Sequence, residues 1–301
     1  MKKTFLFVLS FLGVLVLAVL LSPLLYQVLP FKFGRIFNRI VMIGTLICVA
    51  VFVRIRKETF MEYGLTWKSD SLRFLVTAFL TPVLVLSAYV GFQTLFGQAE
   101  IVFNDISVGK WISKISTAFF AGFLIACIEE FFFRGAIFNG LSRLCAARNR
   151  VGTSSLLAMS NRGGIILSLA ATNLFYSIVH FVSEKKPFVD STPTVYDSLR
   201  ILAAPFQSFL HFGEFWPGFV GLFIFGLMLN GLYLHTKSLY PAIGLHAGAV
   251  FFIKTDGLIV NFGNNDLIWG SGKMYDGLAG WCALGILYFI LSRLLKSRAS
   301  V

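Results

Sequence analysis

The sequence predicts an all-α protein, a polytopic transmembrane helical bundle of about eight spans. Three observations predict it. The 301 residues are 57% hydrophobic, 34 of them are Phe, and only 13% are charged, against roughly 25% in an average soluble domain. Apolar runs recur along the whole chain, separated by short segments that carry charge, Gly or Pro. At about 20 apolar residues per span, a chain of this length holds seven or eight helices with short loops. That leaves no length for a separate soluble domain, so residues 1–301 read as a single integral membrane domain.

The apolar runs lie at 5–29, 40–53, 74–96, 115–141, 164–183, 217–235, 238–253 and 278–292. The first follows Met1-Lys2-Lys3 and continues without a small-x-small cleavage site, so it reads as an uncleaved first span. The second and the last two are short for a hydrocarbon core of about 30 Å, which leaves seven spans as the other count. Residues 198–215 are apolar and aromatic but are interrupted by Pro205, His211 and Glu214. They suit an interfacial or re-entrant piece and stay outside the helix count.

The net charge of +12 is spread over the short loops and is not gathered on one motif. Membrane lipids with anionic headgroups are therefore the expected partner, and nucleic acid is not. With eight spans, one side holds about 15 Lys and Arg, among them Arg54, Arg56, Arg143 and Arg293, against about 10 on the other. The positive-inside rule then puts both termini in the cytoplasm, as in a multi-pass protein of the bacterial inner membrane. Cys48, Cys127, Cys145 and Cys282 are far apart with no CxxC spacing, which predicts neither a disulfide framework nor a thiolate metal site.

The charged residues inside apolar runs are the informative ones. Glu129-Glu130-Phe131-Phe132-Phe133-Arg134-Gly135 puts two carboxylates and a guanidinium midway along the fourth run. Each such charge costs several kcal/mol in a bilayer. Glu130 and Arg134 are four apart and share a helix face, so they can pair. Glu129 is rotated about 100° away, has no partner on its own helix, and should have its pKa pushed upward by its neighbour. A structural ion pair that locks the helix to a neighbour explains Glu130 and Arg134 equally well, but supplies no need for a second acid.

Two of the four histidines also fall inside apolar runs, His180 in the fifth and His246 in the seventh. With helix ends near Leu141, Gly164 and Ser238, Glu129 lies ~18 Å deep, His180 ~24 Å and His246 ~12 Å. Given end errors of one turn, all three can meet near mid-bilayer, and Gly122, Gly135, Gly244, Ala247 and Gly248 allow close helix approach. A Glu with two His is the chemistry of a water-activating hydrolase. It works either around zinc held by Glu129, His180 and His246, or without metal, with Glu129 as base. HExxH is absent, which argues against an ordinary zinc peptidase. Asn173 stands two turns before His180 and can hydrogen-bond into such a site. His211 and His235 sit near run ends and read as interfacial. Cys127, beside two carboxylates, is a poor nucleophile.

These residues resemble the membrane CAAX protease and bacteriocin-processing family of intramembrane endopeptidases, which includes the Ras-converting CAAX endopeptidase and abortive-infection-type proteins. The family pattern is EExxxR, then FxxxH, then HxxxN. Glu129-Glu130 with Arg134 matches the first fully. Tyr176 with His180 matches the second with Tyr for Phe. His246 begins the third, but Val250 takes the Asn position. The likeness runs from Phe119 to Val250, within a core of 115–255, and the spans at 5–96 carry no motif.

The resemblance implies a cavity between helices in which Glu129 activates water, His180 partners that water and His246 stabilises the oxyanion, while Glu130 and Arg134 orient the site. It implies a membrane-associated or lipid-modified peptide as substrate. Val250 cannot donate a hydrogen bond, so either Asn230 or a backbone N–H substitutes for the Asn, or the enzyme is slow or inactive. The alternative is a catalytically silent scaffold or immunity factor of the same fold. A proton-relay transporter would call for repeats or paired broken helices, and the sequence has neither.

Overall fold

The computed structural model describes residues 2–56, 59–103, 106–150, 161–181, 192–209, 212–263, 266–270 and 275–295. The chain divides into two compact units, Met1–Thr59 with Ile178–Glu214, and Phe60–Ser177 with Phe215–Val301.

The first unit contains α1 (Lys2–Tyr26) and α2 (Phe33–Arg56), the end of α6 (Asn161–Phe181), and α7 (Val195–Phe209). Its core forms where Ala18 and Val19 of α1 meet Phe37 of α2, with Ile201 and Leu202 of α7 packed against them. Gly44 lets α2 approach Val14 closely, because a Cβ there would stand 2.6 Å from a Val14 methyl. Hydropathy alone starts the second run at residue 40, whereas α2 begins seven residues earlier and takes in Arg35 and Arg39. α7 is one continuous helix of 15 residues, too short to cross a bilayer. His211 lies outside the described residues.

The second unit contains α3 (Ser71–Leu95), β1 (Ala99–Ile101), α4 (Val108–Glu130), a π-helical segment (Phe131–Phe138), α5 (Asn139–Arg150), most of α6, α8 (Phe212–Thr236), α9 (Tyr240–Thr255), β2 (Val260–Phe262) and α10 (Leu278–Leu294). Among the described residues, six stretches are long and apolar enough to cross a membrane: α1, α2, α3, the continuous run from α4 into α5, α6 and α8. The remaining two of the eight apolar runs are the shorter helices α9 and α10, of 16 and 17 residues. The protein is an all-α polytopic membrane bundle.

α9 is the centre of its unit. Every residue from Pro241 to Ala249 is buried, and a helix apolar on all sides belongs inside a bundle. Two glycines allow it. A Cβ on Gly244 would collide with the Leu75 carbonyl oxygen of α3, and one on Gly248 with the Phe79 carbonyl oxygen. On another face, Gly122 of α4 comes against the Ala247 carbonyl, 3.0 Å from where its Cβ would stand. At one end of α3 and α9, β1 pairs antiparallel with β2, Glu100 opposite Asn261. Leu86, Val90, Phe252 and Val260 form a hydrophobic cluster beneath that pair.

Candidate active site

Glu129 and Glu130 are the last two residues of α4, and the helix widens into its π segment at the next residue. Irregular turns of this kind concentrate at functional sites. The three consecutive phenylalanines followed by Gly135 are the local signal: all three rings and the glycine are buried, with Phe131 against Tyr63 and Phe133 against Tyr176.

Glu130 and Arg134 are both fully buried and form an ion pair at 3.1 Å. A second donor reaches the same carboxylate oxygen: His246 Nδ1 of α9 lies 2.7 Å from Glu130 Oε1. An ionised carboxylate only accepts, so Nδ1 carries the proton. The other ring nitrogen, Nε2, lies 3.7 Å from Glu129 Oε2, beyond hydrogen-bond range. The two glutamates are thus separated by role. Glu130 is buried and committed to Arg134 and His246, whereas the Glu129 side chain is 27% exposed.

Arg134 is held on every side. Its Nη2 donates to the Gly226 carbonyl of α8 at 3.2 Å, and its guanidinium stands 4.5 Å from the centre of the Tyr176 ring. Tyr176 and Phe225 both meet the His246 ring edge to face, at 6.4 and 5.9 Å. Gly226 is required where it stands, because a Cβ would come within 2.5 Å of Asn173 Oδ1 and 3.2 Å of the Tyr176 ring.

Behind the arginine, Asn230 of α8 donates to Asn173 Oδ1 of α6 at 2.9 Å, while Asn173 donates to the Leu169 carbonyl. Glu130 Oε2, Arg134 Nε and Asn230 Oδ1 are buried without a hydrogen-bond partner among the described residues. Such atoms in a native interior are normally satisfied by water. The asparagine pair and the Glu130–His246 bond are absent from the sequence reading, because their members stand 57 and 116 residues apart.

His180 closes α6 one turn beyond Tyr176 on the same helix, in the part of the chain that belongs to the first unit. Among the described residues, Glu129, His180 and His246 are the group whose donor types could hold a metal ion. Their chemistry fits zinc: one carboxylate and two imidazoles, one of which has its far nitrogen fixed by Glu130, as metal-bound histidines commonly do. His235 is exposed at the end of α8, and Cys127 is exposed on α4. Val250, one turn beyond His246, lies 3.7 Å from where a Gly122 Cβ would be.

Residues 111–252, from within α4 through most of α9, match the family described as Type II CAAX prenyl endopeptidase Rce1-like. Over this stretch the chain is similar to that family. The Rce1-like region takes in Glu129, Glu130, Arg134, His180 and His246, and so covers the whole candidate site, while α1, α2 and α3 precede it. No curated protein and no solved structure matches the chain. The likeness of this region is to a family of CAAX-type membrane endopeptidases.

Proposed function

We propose that the protein is an intramembrane endopeptidase in which Glu129 activates the water that hydrolyses a peptide bond. The observation that carries this reading is the division of labour between the adjacent glutamates. Glu130 is tied to both Arg134 and His246, and Glu129 keeps a partly exposed carboxylate facing the other edge of the same imidazole. A general base needs that exposure to reach water, and a structural pair does not.

In this reading Glu129 takes the proton of water as its oxygen attacks the carbonyl carbon. Glu130 fixes His246 Nδ1–H and so orients the imidazole edge that meets the oxyanion. Arg134 pairs with Glu130, and His180 partners the water. Where zinc is bound, Glu129, His180 and His246 would hold it, and it would supply an acidified water. The substrate is a membrane-associated or lipid-modified peptide entering between helices, and the protein sits in a bacterial inner membrane with both termini in the cytoplasm.

Comparing membrane peptides by mass spectrometry from cells carrying the wild type or Glu129→Gln tests the reading. Peptides that accumulate uncut only with the variant support it. Identical peptide sets would favour the catalytically silent scaffold, which the methyl groups of Val250 keep as a second reading.

A further inference from the structure

We propose that Asn173 and Asn230 are positioning residues: the hydrogen bond between them clamps α6 to α8 at Gly226, and so holds in place the carbonyl that fixes Arg134 behind His246. The effect on turnover rests on the endopeptidase reading. The role itself goes to two residues that take no part in the chemistry.

Both asparagines are fully buried, and a carboxamide inside a bilayer costs free energy unless its hydrogen bonds are made. Asn173 is fixed from its own helix. Its Nδ2 donates to the Leu169 carbonyl at 2.9 Å, and its backbone carbonyl accepts from the Ser177 hydroxyl at 2.9 Å. Oδ1 is therefore the atom turned to α8, where Asn230 Nδ2 donates to it at 2.9 Å. The amide that the sequence offers as a substitute oxyanion donor is thus engaged in a contact between helices.

Gly226 stands one turn before Asn230 on the same face of α8. A Cβ there would come within 2.5 Å of Asn173 Oδ1, so the bare glycine and the carboxamide are two halves of one contact. The carbonyl of that glycine accepts from Arg134 Nη2 at 3.2 Å. Arg134 Nη1 meets Glu130 Oε1 at 3.1 Å, and His246 Nδ1 meets the same oxygen at 2.7 Å. The asparagine pair sets how closely α6 and α8 approach, that approach sets where the Gly226 carbonyl stands, and the carbonyl sets the guanidinium. A single interhelical hydrogen bond in a membrane adds little to stability, whereas a displacement of about 1 Å in a catalytic site lowers the rate by about 100-fold. The pair therefore matters more to geometry than to folding.

The test uses the full-length protein in two preparations. In proteoliposomes, an internally quenched, farnesylated peptide ending in a CAAX sequence gives kcat and KM. In nanodiscs, isotope-labelled histidine gives the ring Nδ1 proton of His246 by NMR, assigned by its loss in His246→Gln and shifted downfield by the short bond to Glu130. Asn230→Leu, which keeps the volume and removes the donor, should lower kcat by about 10- to 100-fold with KM unchanged within about threefold. The same variant should move the His246 proton upfield and unfold within a few degrees of wild type. Asn173→Leu together with Asn230→Leu should be no worse than either single change by more than about twofold, because both remove one hydrogen bond. Should Asn230→Leu fail to fold, Asn230→Ala removes the same donor without added bulk and is read by the same two measurements.

Wild-type kcat in the folded variant, or an unmoved His246 proton, overturns the proposal. A rise in KM that accounts for the whole loss also overturns it, as do losses that multiply in the double variant, since the two amides would then act separately. No cleavage by the wild type, or equal cleavage by Glu129→Gln, overturns the endopeptidase reading, and the His246 proton then decides the clamp alone.

Discussion

His246 Nδ1 and Arg134 Nη1 converge on one oxygen of Glu130, at 2.7 and 3.1 Å. Two donor side chains from two stretches of helix therefore share a single acceptor, with no exposed surface on the acid or the arginine. Glu130→Gln would place a neutral amide against a buried guanidinium. Removing one partner of a buried pair typically costs 3–5 kcal/mol. Thermal unfolding in detergent should show Glu130→Gln well below wild type, and Arg134→Ala likewise.

Glu129 is expected to behave in the opposite way. Its side chain is partly exposed and not part of that buried pair, so Glu129→Gln should unfold at the wild-type temperature while losing cleavage entirely. A variant that keeps near-full turnover would reverse the assignment of the two glutamates. Chelator dialysis of the wild type should leave cleavage unchanged. One equivalent of zinc in the purified protein, lost in His180→Ala and in His246→Ala, would instead favour the metal form.

The close crossing of α3 and α9 predicts a sharp contrast among glycines. Gly248→Ala would press a methyl group onto the Phe79 carbonyl, pushing the helix that carries His246 away from α3. Overpacking of this sort costs about 1–3 kcal/mol. Turnover should fall with stability. Gly285→Ala on α10, where nothing lies within 4 Å, should be neutral in both measurements.

Asp256 follows α9 at the end distant from His246, outside the spanning segments. Burial pushes its carboxyl up from 3.8 to about 6, against the opposing hydrogen bond from the Gly257 N–H. The folded protein then holds this proton more tightly than the unfolded chain. Its contribution is complete below about pH 4 and is lost as pH rises through about 6. Asp256→Asn, which keeps the acceptor oxygen, should stabilise the protein by roughly 1–2 kcal/mol near pH 8, after discounting for solvent screening, and leave it unchanged near pH 4. Denaturant titrations at the two pH values measure the difference.

Much of the helical layout was legible because a bilayer imposes one physical demand on every span. The eight apolar runs correspond to α1, α2, α3, the α4-to-α5 run, α6, α8, α9 and α10. Boundaries failed where that signal is diluted: Arg35 and Arg39 hid the first turns of α2, and Pro205 made α7 look broken although Val195–Phe209 is one helix. In the site, the Glu130–Arg134 pair follows from a spacing of four within one helix. Helical spacing cannot state which nitrogen of His246 meets which glutamate, nor that Gly226 must be bare for Asn173 and Tyr176 to approach. Those relations depend on how α4, α6, α8 and α9 are packed side by side.

The π segment from Phe131 to Phe138 has a consequence for how this stretch can change in length. Wider turns accommodate more residues over the same rise, so the segment behaves like an insertion absorbed within a helix. Loss of a single residue among Phe131, Phe132 and Phe133 would let the ordinary ladder close within the segment and bring Arg134 to three residues from Glu130, shifting the guanidinium off the carboxylate it now meets at 3.1 Å. Length variation should therefore be tolerated in the loops and refused in this run of eight residues.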